Sequence, residues 1–79
     1  MNVLTLFYRE GCHLCEKMLM DLQPYLQKQE ISLNRIDIDE DPVWLEAYNS
    51  LVPVLHFNDE PLCKYFLDEQ RLKAALASV

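Results

Sequence analysis

The chain has 79 residues, and its 13 acidic and 7 basic side chains give a formal net charge of −6. This length allows one small domain, residues 1–79, and excludes an enzyme with a separate nucleotide-binding domain. The acidic balance argues against nucleic acids and anionic membranes as partners, because both are bound by clustered Lys and Arg.

The N-terminal sequence and the apolar runs bear on the compartment. A cationic segment followed by a long apolar one is missing at the start, so we expect no signal peptide. No apolar run approaches the roughly 20 residues of a membrane span. We therefore expect a cytoplasmic protein, in which a Cys-x-x-Cys pair favours catalysis or metal binding over a structural bridge. The single glycine, Gly11, excludes phosphate-binding loops and dinucleotide fingerprints.

The first predicted elements are a strand and a helix. Residues Asn2 to Tyr8 are mostly apolar without alternation, which is typical of a strand covered on both faces. A helix is predicted from Cys12 to about Gln29. Its apolar stripe consists of Cys15, Met18, Leu19, Leu22 and Leu26. Pro24 lies inside this helix and removes one hydrogen bond, so we expect a kink or a short break there.

A second strand and a second helix follow. The run from Ile31 to Ile38 predicts a strand, and because a helical crossover leads to it, the strand should be parallel to the first. Asp41 is a suitable cap for a helix whose first position is Pro42. Trp44 opens the apolar face of this helix, on which Ala47, Tyr48 and Leu51 also fall.

The C-terminal third predicts a hairpin and a last helix. The strands are Val54 to Phe57 and Leu62 to Phe66, and Pro61 indicates that the second lies at a sheet edge. Asp68 can cap the last helix, whose apolar face consists of Leu72, Ala75, Leu76 and Val79. The predicted order is β-α-β-α-β-β-α, an α/β fold.

Cys12 and Cys15 form a Cys-x-x-Cys pair at the predicted start of the first helix. Residues i and i+3 lie on nearly the same helix face, so Cys12 can present its sulfur to free N–H groups while Cys15 joins the buried stripe. Those N–H groups favour a thiolate, the species that attacks disulfides. The pattern predicts that Cys12 attacks a substrate disulfide and that Cys15 resolves the mixed disulfide. His13, if protonated, would favour the thiolate further.

Two other interpretations of the pair remain open. One is half of a zinc site, which His56 and Cys63 would complete if the hairpin brought them together. The other is that both cysteines are small core residues. We expect His56 to be a hydrogen-bonded core histidine and Cys63 a buried residue of the edge strand. The acidic run from Asp37 to Asp41 favours helix capping on a solvated loop over a metal site.

The residues around the cysteine pair resemble those of a known family. Residues 7–16 read FYREGCHLCE, and Val52-Pro53 precedes the predicted strand–turn–strand–helix. These motifs and the small size resemble the glutaredoxins, in particular a group of small bacterial glutaredoxin-like proteins. The resemblance covers essentially the whole chain. It implies a thioredoxin fold, with a four-stranded mixed sheet flanked by helices.

The resemblance also implies how a substrate is held. Pro53 is expected to follow a cis peptide bond, which proline permits, and to face Cys12. Val52 is expected to offer its backbone N–H and C=O to an extended substrate. Tyr8, before the redox loop, and His13, within it, complete the expected substrate-binding residues. For Tyr8, packing of a strand-end aromatic on the first helix is an equal alternative.

One departure from the glutaredoxins concerns glutathione. Members that use glutathione usually carry a glycine pair after the hairpin, followed by an acidic residue. The matching segment here, residues 62–68, contains no glycine, although Asp68 can still cap the last helix. A Cβ on each residue limits close backbone approach. Glutathione is therefore a less favoured partner than a disulfide-containing protein or another small thiol compound.

Together these features predict a glutaredoxin-like thiol–disulfide oxidoreductase, acting as a monomer without a metal or an organic cofactor. An alternative is a thioredoxin-fold binding module or redox sensor, whose Cys-x-x-Cys regulates a partner without turnover. The two differ in whether the reduced protein turns over a disulfide substrate.

Overall fold

The computed structural model describes residues 2–28 and 30–78 as a four-stranded mixed sheet flanked by three α-helices. The predicted element order is confirmed, with one short 3₁₀ turn added at Ile38–Glu40. The elements are β1 (Asn2–Tyr8), α1 (His13–Lys28), β2 (Ile31–Asp37), α2 (Pro42–Tyr48), β3 (Val54–Phe57), β4 (Glu60–Lys64) and α3 (Glu69–Ala77). Within those ranges, each helix is too short or too polar to cross a bilayer.

The strands lie in the order β2-β1-β3-β4. β1 and β2 are parallel, as the helical crossover predicts, whereas β3 is antiparallel to both β1 and β4. The carboxyl ends of β1 and β4 therefore meet the amino end of β3. This edge, at Tyr8, Lys64 and Val54, is called the cysteine end, because the chain passes from it directly to Cys12.

The sheet face covered by α1 and α3 is aliphatic. Its buried core consists of Leu4, Leu6, Met18, Leu22, Leu55, Phe57 and Leu72. The predicted stripe of α1 is confirmed, since Cys15, Met18 and Leu22 are buried and Leu19 and Leu26 are partly buried. This packing fixes the helix that carries the two cysteines.

The opposite sheet face is covered by α2 and is aromatic. Phe7 lies at its centre, with its ring centroid 4.5 Å from that of Trp44 and 4.7 Å from that of His56. Tyr48 packs edge-on against Phe7 at 5.1 Å. The apolar face predicted for α2 is confirmed at Trp44 and Tyr48, whereas Ala47 is exposed. Leu51 lies beyond the end of the helix but still packs against this cluster.

The predicted helix caps are confirmed. The Asp41 carboxylate accepts a hydrogen bond from the Val43 N–H at 3.0 Å, and Pro42 occupies the first turn of α2. The Asp68 carboxylate accepts from the Arg71 N–H at 3.0 Å at the start of α3. Each cap satisfies a backbone donor that has no partner within its helix.

The predicted boundaries of two strands are wrong. β2 ends at Asp37 rather than at Ile38, because the Asp37 carboxylate accepts from the Asp39 N–H at 3.0 Å and turns the chain into the 3₁₀ segment. β4 begins at Glu60 and ends at Lys64, so each end lies two residues earlier than in the predicted strand from Leu62 to Phe66. Its early start and early end have separate causes in backbone conformation.

Positive φ angles set both ends of β4. Asn58 and Asp59 have φ values of 48° and 71°, so these two residues alone form the hairpin turn and Glu60 already pairs with β3. Tyr65 has a φ of 68°, which ends the strand. The predicted edge position of Pro61 is confirmed, since β4 is the last strand of the sheet.

Of the kink or short break expected at Pro24, the break is wrong, because helix α1 is continuous from His13 to Lys28. Pro24 deprives the Met20 carbonyl of its helical donor, but both residues lie on the exposed side of the helix, with Met20 71% exposed. The unpaired carbonyl can therefore be solvated, and the buried face holds the helix together. Gln29 and Val79, predicted to end α1 and to line the face of α3, lie outside the described residues.

Candidate functional site

Cys12 precedes the first residue of α1 and acts as its cap. Its Sγ accepts a hydrogen bond from the Cys15 N–H at 3.1 Å, and its carbonyl accepts from the Glu16 N–H at 3.1 Å. The sulfur thus takes the place that a Ser or Asp oxygen takes at other helix starts. The predicted contact between this sulfur and a free backbone donor is confirmed. Such a donor stabilises a thiolate more than a thiol.

Cys15 lies one helical turn further on and is buried, with 4% of its surface exposed. The two cysteines form a disulfide with a Cα–Cα distance of 5.2 Å, inside the usual range for such bonds. Cys12 is only half-buried. The arrangement is therefore asymmetric, with one sulfur accessible to a substrate and the other positioned behind it.

The Val52–Pro53 peptide bond is cis, as the resemblance implies. Pro53 is fully buried and comes just before β3, so it lies at the cysteine end. Its carbonyl accepts from the Tyr65 N–H at 2.8 Å. Within residues 2–28 and 30–78, the backbone N–H and C=O of Val52 make no hydrogen bond, which leaves both groups open to an extended ligand.

Tyr65 is a site residue that sequence reasoning missed. Its backbone fastens the β4–α3 connection to Pro53, and its hydroxyl donates to the Ser50 carbonyl at 3.3 Å. The Lys64 ammonium lies 5.7 Å from the centre of its ring. A tyrosine at a φ of 68° is rare, because its Cβ is crowded in the left-handed region. Neither residue type nor spacing indicates this conformation.

Arg9 holds the loop between β1 and α1 against the aromatic side of the molecule. Its guanidinium forms two hydrogen bonds to the Asp39 carboxylate, at 2.6 and 3.2 Å, and two to Asn49, at 3.0 and 3.1 Å. Arg9 holds the pKa of the Asp39 carboxyl below its usual range, mainly through this hydrogen bonding. Arg9 thus anchors the loop that precedes Cys12.

Tyr8 and His13 differ in their surroundings. Tyr8 packs against the aliphatic core and also lines a cavity of about 280 Å³ together with Cys15. Both interpretations of Tyr8 are therefore compatible with its position. The His13 side chain is 98% exposed, and its Nδ1 lies 3.9 Å from the Glu16 carboxylate. Its role in substrate binding stays a prediction.

His56 and Cys63 lie on opposite faces of the sheet, which does not support their pairing in a zinc site. His56 is buried on the aromatic face, with Nε2 3.0 Å from the Tyr48 hydroxyl, and burial lowers its pKa. Cys63 packs against the aliphatic core opposite Leu55, is partly buried, and has its thiol pKa raised by burial. The expected core histidine is confirmed.

The acidic run from Asp37 to Asp41 serves the local backbone. Asp37 and Asp41 cap the 3₁₀ turn and α2, and Asp39 pairs with Arg9. Across the described ranges, no three His, Cys, Asp or Glu side chains are grouped as metal ligands would be. The capping interpretation of this run is confirmed.

Comparison with known proteins agrees with this geometry. A family model described as "Glutaredoxin-like domain (DUF836)" matches residues 3–77. The chain belongs to this glutaredoxin-like family. Its CxxC pair at the start of α1 and its cis-proline segment lie in a fold of the thioredoxin superfamily.

Solved structures show the same fold. The solution structure of protein Ne2328 from Nitrosomonas europaea is 39% identical, with a TM-score of 0.83, over 94% of this chain and 89% of that one. The crystal structure of protein XcR50 from X. campestris is 29% identical, with a TM-score of 0.70, over 96% and 97% of the two chains. A mutant thioredoxin from Halobacterium salinarum is 26% identical, with a TM-score of 0.69, over 98% and 73%.

Proposed function

We propose that this glutaredoxin-like protein is a thiol–disulfide oxidoreductase with Cys12 as the nucleophile and Cys15 as the resolving thiol. The hydrogen bond from the Cys15 N–H to the Cys12 Sγ carries the proposal. It places a half-exposed sulfur at a helix start, where a backbone donor favours the attacking thiolate. The burial of Cys15 behind it supports the resolving role.

The proposed reaction has two exchange steps. The Cys12 thiolate attacks one sulfur of a substrate disulfide, forms a mixed disulfide and releases the other substrate sulfur as a thiolate, which takes up a proton. Cys15, after losing its proton, attacks the Cys12 sulfur, forms the Cys12–Cys15 disulfide and releases the second substrate thiol. Two electrons pass from the protein to the substrate, and an external thiol reductant must regenerate the dithiol.

The Val52–Pro53 segment is proposed to hold the substrate beside Cys12. The free backbone N–H and C=O of Val52 are suited to an extended chain, which pairs through its own backbone groups. Tyr8 and His13 are proposed to border the same substrate. The proposed partners are disulfide-containing proteins and small thiol compounds, with glutathione less favoured.

Alkylation and trapping test the nucleophile. We expect the iodoacetamide reaction of Cys12 to titrate at least about one unit below the 8.5 of a free thiol. The background for this measurement is a Cys63→Ser variant, in which the remaining thiols are the pair. A Cys15→Ser variant should accumulate a mixed disulfide with substrate, and the matched Cys12→Ser variant should not. An alkylation pKa at or above 8.5 would contradict the proposal.

Turnover separates the enzyme from a redox sensor. Reduced protein is supplied with a small mixed disulfide, first with glutathione and glutathione reductase and then with thioredoxin reductase as the electron source. Continuous NADPH consumption that depends on Cys12 supports the enzyme. A Cys12–Cys15 disulfide that forms once and is never re-reduced, with trapping of a single partner, would instead support the sensor.

A further inference from the structure

Two large apolar side chains are exposed at the cysteine end of the sheet. Leu14, inside the Cys-x-x-Cys loop, is 37% exposed, and Phe66, two residues after β4, is 63% exposed. Neighbouring strands are about 4.8 Å apart, and β3 lies between β1 and β4. The segments that leave β1 and β4 are therefore about 10 Å apart, with the Val52–Pro53 segment between them.

A strained turn holds Phe66 in this position. The Phe66 N–H donates to the Lys64 carbonyl at 2.8 Å across Tyr65, whose φ is 68°. This is a γ-turn with a positive central φ, which is rare and strained for a residue with a side chain. The bonds from Tyr65 to Pro53 and Ser50 keep it in place. Strain that is over-determined in this way is frequent at ligand-binding sites.

The same turn closes the approach to the backbone at Pro53. The Tyr65 N–H is used by the Pro53 carbonyl, and the Tyr65 ring occupies the side towards Ser50. A ligand that extends beyond Val52 towards β4 therefore meets the Phe66 side chain rather than a free backbone group of Pro53 or Tyr65. Because the backbone at Phe66 is held and its side chain is exposed, covering that side chain with an apolar group removes its surface from water without further ordering of the backbone.

Two cations near the cysteine end, Arg9 and Lys64, already have partners. Arg9 is held by Asp39 and Asn49, and Lys64 lies over the Tyr65 ring. Glutathione carries two carboxylates, which are bound best by charged donors that are free to pair with them. An uncharged peptide segment with an apolar side chain does not need free charged donors in order to bind.

We propose that Phe66, with Leu14, selects disulfides whose cysteine lies in an extended peptide next to an apolar residue, in preference to glutathione mixed disulfides. This inference rests on the proposed function and names its substrate class. The peptide lies along Val52, its disulfide faces Cys12, and its apolar side chain packs on Phe66. Phe66 thus determines specificity and takes no part in the exchange itself.

Three chromogenic mixed disulfides test the proposal. N-acetyl-Gly-Cys-Leu-amide, N-acetyl-Gly-Cys-Ser-amide and glutathione are each coupled to thionitrobenzoate, which is the better leaving thiol in all three. Cys12 of the reduced protein then attacks the cysteine sulfur and releases the coloured thiolate. Because the leaving group is shared, differences in second-order rate constant report recognition of the cysteine side.

We expect the Leu peptide to react about tenfold faster than the Ser peptide, equivalent to about 1.4 kcal/mol, and glutathione to react more slowly than the Ser peptide. Phe66→Ala should reduce the Leu-to-Ser ratio to below about threefold, because the apolar contact is lost. Met20→Ala is the matched control, since Met20 is exposed on the same helix as the cysteines, about 12 Å beyond Cys12. It should keep the wild-type ratio.

Two kinds of failure are distinguishable. Equal rates for the Leu and Ser peptides, a glutathione rate at or above that of the Ser peptide, or a Leu-to-Ser ratio of about threefold or more in Phe66→Ala would overturn this inference alone. Release no faster than in Cys12→Ser for all three compounds would overturn the proposed function, and the inference with it. Circular dichroism of Phe66→Ala verifies that the comparison uses folded protein.

Discussion

The two faces of the sheet differ in both composition and cover. The face under α1 and α3 is a closed layer of Leu, Met and Phe side chains, whereas the face under α2 contains three aromatic rings and a histidine. The first face is sealed by two helices and the second by one helix of seven residues. The buried polar residues Thr5 and His56 both come from the second face.

Each half of the candidate site rests on a different face. The helix that carries Cys12 and Cys15 packs on the aliphatic layer, and Val52 packs on the aromatic cluster around Phe7 and Val54. The nucleophile is thus supported by the more uniform and better covered core. The segment proposed to hold the substrate depends on hydrogen bonds and ring contacts, so the two halves should respond differently to mutation.

Truncation in the aliphatic layer should have the largest effect on stability. Leu22 is 0% exposed, and Leu22→Ala should lower the free energy of unfolding by about 3 kcal/mol, since it removes buried methyl groups and leaves a cavity. Met20→Ala on the same helix should change it by less than about 0.5 kcal/mol. Urea denaturation measures both, and equal losses would remove the contrast between buried and exposed sides of α1.

On the aromatic face, removal of the Tyr48 hydroxyl should lower the free energy of unfolding by less than Leu22→Ala does. Tyr48→Phe removes its hydrogen bond to His56 Nε2, and we expect a loss of about 1 kcal/mol. A double-mutant cycle with His56→Leu should show coupling, because the second substitution removes the group left without a partner. Additive losses in urea denaturation would argue against a stabilising contact between the two side chains.

The pH dependence of the free energy of unfolding should distinguish the aromatic face from the aliphatic face, because His56 is buried on the aromatic one. Burial lowers the pKa of His56 in the folded protein, so the unfolded chain binds its proton more tightly. Stability is therefore highest above the ordinary value of about 6.5 and falls as the pH decreases from there through the folded-state pKa. One proton contributes at most about 1.4 kcal/mol per pH unit.

His56→Gln should flatten the stability profile between about pH 7 and 5, the interval in which an ordinary histidine takes up its proton. His13→Gln is the control, because that side chain is 98% exposed. Thermal denaturation across this interval supplies the profile. A slope that survives in His56→Gln would assign the effect to another group.

The smallest effect on stability is expected at Arg9, which connects the loop before α1 to the side of the molecule covered by α2. Arg9→Ala removes the bonds to Asp39 and Asn49 that hold the loop before Cys12 against α2. Because the pair is exposed, we expect little change in global stability. Amide hydrogen exchange should become faster in residues 9–12 while α1 stays protected, and unchanged exchange there would show that the loop is fixed by other contacts.

Sequence patterns predict well where one cause dominates. The β1 limits, the stripe of α1 and the caps at Asp41 and Asp68 follow from burial and from single side chains, and all are confirmed. The cysteine pair is recognisable for the same reason, since its spacing suits one helical turn. The cis bond before Pro53 was implied by the resemblance rather than by local chemistry.

The errors arise where distant residues decide local conformation. Tyr65 takes a positive φ because its N–H and hydroxyl are fixed by Pro53 and Ser50, and β4 ends two residues earlier than its side chains suggest. Arg9 pairs with Asp39, 30 residues along the chain. Such pairings depend on the folded arrangement, which periodicity does not encode.

The position of Pro61 has a consequence for the behaviour of the protein at high concentration. A strand at the edge of a sheet presents unpaired backbone groups to which strands of other chains can add. β4 is such an edge, and its proline has no N–H to offer, while Glu60 and Lys64 place opposite charges on either side. Strand-by-strand growth into larger aggregates is thereby impeded at β4.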